Sequence, residues 1–132
     1  MPPAVSAIRT CLCIDLDADF YYLMQSYAQR SKFLHLEANL EPPLAQQPDV
    51  IFLEADNTVG QKSWDKLHAL KDNAQTRQIP VILFSWLAVE ARALEEGADA
   101  FLQKPVMYAD LLDALALVGI SSPQSDTSPE RR

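Results

Sequence analysis

The sequence has no cluster of basic residues. Its 11 lysines and arginines are scattered and outnumbered by 18 aspartates and glutamates, for a formal charge of −7. Neutralising nucleic-acid phosphates takes a basic face, so this chain alone is not expected to bind nucleic acid. It also lacks an apolar run long enough to cross a membrane, and Met1-Pro2-Pro3-Ala4-Val5-Ser6 has no basic stretch leading into an apolar one. No membrane span and no signal peptide are expected, and a cytoplasmic location follows. Cysteine is scarce: Cys11 and Cys13 sit two apart in an apolar run. On a strand they share one face and cannot bridge each other, so they are expected to be reduced core residues. The two histidines, His35 and His68, have no second ligand at metal spacing and are expected at the surface or its boundary. There is no internal repeat.

What is present is one domain's worth of chain, 132 residues with 48% hydrophobic side chains. Short continuous apolar runs read as strands buried on both faces. They are Cys11-Leu12-Cys13-Ile14, Phe33-Leu34-His35-Leu36, Val50-Ile51-Phe52-Leu53, Val81-Ile82-Leu83-Phe84 and Ala100-Phe101-Leu102. Between them, helical spacing relates Phe20, Leu23, Met24 and Tyr27; then Trp64, Leu67 and Leu70; then Leu87, Ala91 and Leu94; then Leu111, Leu115 and Val118. This alternation predicts an α/β fold with a doubly wound parallel sheet. Only the second crossover is cramped: Leu40–Pro48 contains Pro42 and Pro43 and has room for a turn or two of helix. Asp17 is an N-cap candidate for the first helix, and Gly97 and Gly119 are stop residues for the last two. The division is an N-terminal extension (1–7), one domain (8–119) and a polar tail (120–132) expected to be disordered.

Ligands of open α/β sheets bind at the carboxyl ends of the strands. Here those ends carry Asp15-Leu16-Asp17, Glu54 with Asp56 close behind, Ser85, and Lys104-Pro105. Carboxylates hold a cation, a lysine stabilises phosphoryl oxygens and a hydroxyl donates a hydrogen bond, so the set suits phosphoryl chemistry.

Four stretches then resemble the response-regulator receiver domain over residues 8–119. They are Cys13-Ile14-Asp15-Leu16-Asp17-Ala18-Asp19-Phe20, Pro48–Glu54, Gln78–Ser85, and Gly97-Ala98-Asp99-Ala100-Phe101-Leu102-Gln103-Lys104-Pro105. The last is similar to the family's "GAD-x-aromatic-L-x-KP" and is the most specific. The resemblance implies a flavodoxin-like (βα)5 sandwich in three layers, with strand order 2-1-3-4-5 and a cis Lys104–Pro105 bond. Glu54 matches the family's phospho-acceptor aspartate. Asp15 matches the first of its two adjacent acids, while Leu16 replaces the second, a Mg2+ ligand. Ser85, Lys104 and Phe101 match its hydroxyl, its lysine and its switch aromatic. With Leu16 unable to bind a metal and Glu54 one methylene longer than aspartate, Mg2+ binding is expected to be weak or absent. No other cofactor or catalytic residue is implied.

Glu54 is either a phosphate mimic or a structural acid paired with Lys104. Asp15 is a relic carboxylate or another partner for Lys104, Asp17 is favoured as a cap, and Ser85 can equally well satisfy backbone groups. The last helix is apolar over more than one stripe. Leu111, Leu112, Leu115 and Val118 are therefore expected at an interface, and a homodimer through the last two helices is expected too, since receivers commonly pair there. The principal expectation is a non-enzymatic, atypical receiver that binds a protein, either a histidine kinase or an output protein. The alternatives are a receiver phosphorylated at Glu54 or Asp56, and a haloacid-dehalogenase-like phosphatase. Asp15-Leu16-Asp17 resembles the latter's D-x-D, but the following glycine and the later acidic pair are missing.

Overall fold

Val50–Leu53 and Val81–Phe84 are apolar at every position, which suits strands covered on both faces. The computed structural model, which describes residues 8–38, 47–55 and 61–121, sets them side by side in the middle of a five-stranded sheet. The elements run β1 (Arg9–Ile14), α1 (Ala18–Ser31), β2 (Leu34–Ala38), β3 (Val50–Glu54), α2 (Gln61–Asp72), β4 (Val81–Ser85), α3 (Glu90–Glu95), β5 (Ala100–Gln103) and α4 (Tyr108–Leu117). Every pairing is parallel and the order is β2-β1-β3-β4-β5, as expected. The cramped crossover, the N-terminal extension and nearly all of the tail lie outside the described residues. Ile120 is an exception: it is buried and its N–H donates to the Leu115 carbonyl at 2.8 Å, so the packed domain runs past Gly119.

The period of two along each strand divides the core between the faces. Cys11, Cys13, Val50, Phe52, Ile82 and Phe84 face α1 and α4, meeting Phe20, Met24, Leu111 and Leu115. Leu12, Ile51, Leu53, Val81 and Leu83 face α2 and α3, meeting Trp64, Leu67 and Ala93. Phe84 is the hub of the first layer, edge-on to Phe20 at 5.0 Å and to Phe52 at 5.3 Å between ring centroids. Burial of one such ring contributes about 1.5–3 kcal/mol. The cysteines are reduced and buried here, as their spacing implies.

Two helices correct the expectations. In α4, Leu111 and Leu115 are fully buried, and Leu112 and Val118 are half-buried against the same core. The spacing 111, 115, 118 is the stripe that faces the sheet, so Leu111 and Leu115 are not open to an interface and Leu112 and Val118 are open only in part; the large apolar residue that α4 exposes is Leu117, at 80%. The third helix begins at Glu90 and not at Leu87. The chain bends first, because the Ser85 hydroxyl accepts the Leu87 N–H at 3.1 Å and the Val89 N–H bonds back to the Leu87 carbonyl.

Candidate functional site

The carboxyl ends of β1, β3 and β5 build one rim. β1 stops at Asp15, whose φ of +60° lies in the left-handed region that aspartate tolerates better than most residues. The turn carries its carboxylate to the Lys66 ammonium of α2. Leu16 is half-buried and packs on the α1 side of the core. Asp17 is the N-cap of α1, its carboxylate accepting the Asp19 N–H at 3.1 Å. That contact satisfies an amide that the first helical turn cannot pair itself.

Glu54 ends β3 and spans the rim. Its Oε1 accepts the Asp17 backbone N–H at 2.7 Å, and its Oε2 accepts from the Lys104 ammonium. The ion pair is nearly out of water, with side chains 8% and 6% exposed for Glu54 and Lys104. Two rings flank the same ammonium: Phe20 at 4.3 Å and Trp86 at 5.0 Å to the centroids. A carboxylate and aromatic faces supply what a buried cation loses in leaving water. Lys104 is set in place by its N–H, which donates to the Ser85 carbonyl at 2.8 Å, and the Lys104–Pro105 peptide is cis, as the resemblance implies. Glu54 separates two cavities of about 430 Å³ each, one under Trp86 and Phe20 and the other between Asp15, Ser63 and Lys66.

Not every expected residue joins this rim. Asp15 pairs with Lys66 and not with Lys104, because the left-handed turn directs it to α2. Ser85 is fully buried, spends its hydroxyl on the Leu87 N–H and lines neither cavity beside Glu54. Phe101 is half-buried against the α2–α3 side of the core, at the outer edge of the sheet. Asp56 lies outside the described residues. His35 is exposed beside Glu37, and His68 binds Glu96 at the α2–α3 surface.

A hard dication such as Mg2+ requires several free oxygen ligands, and the donors among the described residues do not fit it. Asp15 is held by an ammonium, Leu16 offers no oxygen, Asp17 caps a helix, and both Glu54 oxygens are engaged. Among the described residues no three His, Cys, Asp or Glu side chains converge as a metal site.

The Gly-Ala-Asp part of the signature is structural. Gly97 has φ +118°, a conformation that a side chain would strain. Asp99 then accepts the Val81 N–H and the Lys71 ammonium, each at 2.8 Å, which ties the start of β5 to β4 and α2. The sequence reading missed Lys66, Phe20 and Trp86. Lys66 had a usable signal: α2 follows β3, so its first two turns stand over the rim, and Ser63 and Lys66 are one turn apart on the side away from Trp64.

No protein-family model matches the chain. Over 74 residues it is 38% identical to the two-component response regulator ARR8 of Arabidopsis thaliana, a stretch covering 53% of this chain and 33% of that protein. The chain spans between 24% and 42% of the length of the curated relatives it matches. A signal receiver domain of a histidine kinase from Clostridium thermocellum superposes with a TM-score of 0.70 at 16% identity, over 85% of this chain and 98% of that one. The receiver domain of a sensor histidine kinase from Pseudomonas aeruginosa, with magnesium coordinated in its active-site cleft, superposes with a TM-score of 0.66 at 15% identity, over 86% of this chain and 99% of that one. The chain thus has the receiver-domain fold, and its sequence is similar to that of two-component response regulators.

Proposed function

We propose that the chain is an atypical receiver module of two-component signalling, which acts by binding a partner protein without a phosphorylation cycle of its own. The observation that carries this is the state of Glu54. At the position where the family has its phospho-acceptor, both carboxylate oxygens are already bonded, one to a backbone amide and one to Lys104. Phosphoryl transfer to a carboxylate needs the nucleophile aimed at the phosphorus and a metal to offset the meeting of anions. Glu54 is instead drawn into an ion pair with Lys104, and the described donors around it do not fit Mg2+. The carboxylate instead bridges the β1–α1 and β5–α4 loops, so it holds the two sides of the rim together. The partner is a histidine kinase or an output protein, and the module works in the cytoplasm. The phosphatase alternative loses support, because it requires Asp15 and Asp17 to face one phosphoryl group. Asp15 turns to α2 and Asp17 to the start of α1.

Acetyl phosphate with Mg2+, read by intact-mass spectrometry, tests the proposal. The expected result is no phosphoryl adduct and no spectral response to beryllofluoride. The pair Leu16→Asp with Glu54→Asp should regain some Mg2+ binding, either change alone less, and adding Lys66→Met should raise it further by freeing Asp15. An adduct on the unmodified chain that disappears in Glu54→Gln would overturn the proposal.

A further inference from the structure

β2 ends the sheet on the side away from β5, and among the described residues nothing pairs with its outer side. The Arg9 N–H donates to the Phe33 carbonyl at 2.8 Å, so Phe33 points its carbonyl at β1. The period of two then turns the main-chain groups of His35 and Glu37 the same way, and those of Leu34, Leu36 and Ala38 outward. Three residues thus present N–H and C=O groups in a row along the edge. Edge strands are ordinarily guarded by lysine, by proline or by a bulge. Leu34-His35-Leu36-Glu37-Ala38 contains neither residue, and its register with β1 advances one residue at a time, without a bulge.

The side chains divide by face. Leu34 and Leu36 are buried in the core under α1. His35 and Glu37 stand on the opposite face with side chains 57% and 40% exposed, and within one copy they bond each other, Nε2 to Oε2 at 2.7 Å.

The order of these five residues decides what the edge fits. A two-fold axis at Leu36 sets two copies of β2 antiparallel, with Leu36 against Leu36, Leu34 against Ala38 and His35 against Glu37. The outward residues Leu34, Leu36 and Ala38 then become the hydrogen-bonded pairs, with about six main-chain bonds in all. His35 and Glu37 fall at the other kind of pair, where opposed side chains come closest. An imidazole N–H donates to a carboxylate whether the ring is neutral or charged. Each copy therefore sets a donor against the other's acceptor, twice. An axis at Leu34 or Ala38 separates His35 from Glu37 and loses this match. A strand of unrelated sequence gains the main-chain bonds alone, whereas a second copy gains the side-chain pairs as well. On the other face, α1 carries no charge between Asp19 and Arg30, so its middle adds no like-charge repulsion between copies.

We propose that β2 pairs with β2 of a second copy across a two-fold axis at Leu36, joining two five-stranded sheets into one. This places the second copy at the end of the sheet away from β5, and the contact owes nothing to the chemistry at Glu54. An interface of one edge strand lies at the small end of the protein range, so the expected dissociation constant is on the order of 10–100 μM.

Sedimentation velocity on the full chain, from about 10 μM to about 1 mM, brackets that range. A monomer–dimer equilibrium is expected. Ala38→Pro removes an N–H that β1 does not use, at an exposed residue of an edge strand where proline is tolerated, and should weaken the dimer about tenfold. His35→Glu sets acid against acid twice and should weaken it to a similar degree, about tenfold. Adding Glu37→His to it exchanges the two side chains and should restore the dimer. The circular dichroism and unfolding temperature of each variant check that the monomer fold is kept. A monomer at every concentration would overturn the proposal, and so would a dimer that neither Ala38→Pro nor His35→Glu weakens. An exchanged pair that is folded but fails to restore the dimer would overturn the register at Leu36. A dimer that Leu117→Asn dissociates would place the second copy on α4 and refute the β2 edge as its site.

Discussion

Replacing Lys104 with methionine removes the cation from a carboxylate that is 8% exposed. Breaking a buried ion pair from one side costs about 3–5 kcal/mol, most of it from the charge left behind. Two features of the rim place this case near the low end. Glu54 keeps the Asp17 N–H at 2.7 Å, and the cavities on either side can admit water. The methionine keeps the packing of the stem on Phe20 and Trp86 and exchanges two cation–ring contacts for weaker sulfur–ring ones. The expected loss is about 3 kcal/mol, a large part of the 5–15 kcal/mol by which a domain of this size is stable. The paired change Glu54→Leu with Lys104→Met leaves no buried charge and should cost no more than about 1 kcal/mol. Urea unfolding of the two single variants and the double, followed by circular dichroism, gives the three free energies and their coupling. A loss below about 1 kcal/mol for Lys104→Met, or a double variant as unstable as the singles added together, would refute the buried-pair argument.

Asp17→Ala removes the cap of α1 while leaving its backbone N–H to Glu54. The expected cost is about 1 kcal/mol, seen as a Tm lower by about 3–5 °C. The hydrogen bond from Arg92, then that from His68, holds the Glu96 carboxyl below the usual carboxylate range. A group depressed on folding stabilises the native state above its unfolded value near 4.5 and loses that contribution as pH falls through the folded value. Glu96→Gln should therefore flatten the acid limb of a stability–pH profile measured by urea unfolding, and an unchanged limb would count against the Arg92–Glu96–His68 cluster. Burial pushes the Cys13 thiol up to about 12, and burial, then Cys13 and Asp49, push Cys11 further. Neither thiol should react with a disulfide reagent at about pH 8 until the chain is unfolded in urea, since the thiolate is the nucleophile. Rapid labelling of the native chain would contradict the burial of β1.

The parallel sheet was legible because β3 and β4 are apolar at consecutive positions, a pattern that few environments besides a sheet covered on both sides will accept. The caps were legible too, since Asp17, Gly97 and Gly119 are local chemistry. The interface was misread for a reason of the same kind. Alanines at 114 and 116 make α4 look apolar all round, yet its buried stripe is the ordinary set of Leu111, Ala114, Leu115 and Val118. Ala116 is merely small and exposed. In the site, the identities of Glu54 and Lys104 could be read from their places in the motifs, but the direction of Asp15 could not. That depends on one backbone torsion, the +60° at Asp15, which has no sequence signal beyond the tolerance of aspartate for it. Ser85 was ambiguous for a similar reason, because a hydroxyl one residue past a buried strand can serve a ligand or its own turn, and the turn won.

The charges that meet around Glu54 are all tethered to the backbone, and tethered charges have no dissociation constant. Where an ion and a phosphoryl group come and go, their concentrations set the balance of two conformations. Where Lys66, Lys104 and Glu54 stand in the same region, an incoming ion or phosphoryl group has first to break their ion pairs, and the displaced charges stay beside the site. On the proposed function, how much of the partner is occupied then depends on how many copies of this chain are present and on their affinity alone. Its natural control point is synthesis and degradation, and its response time is that of protein turnover.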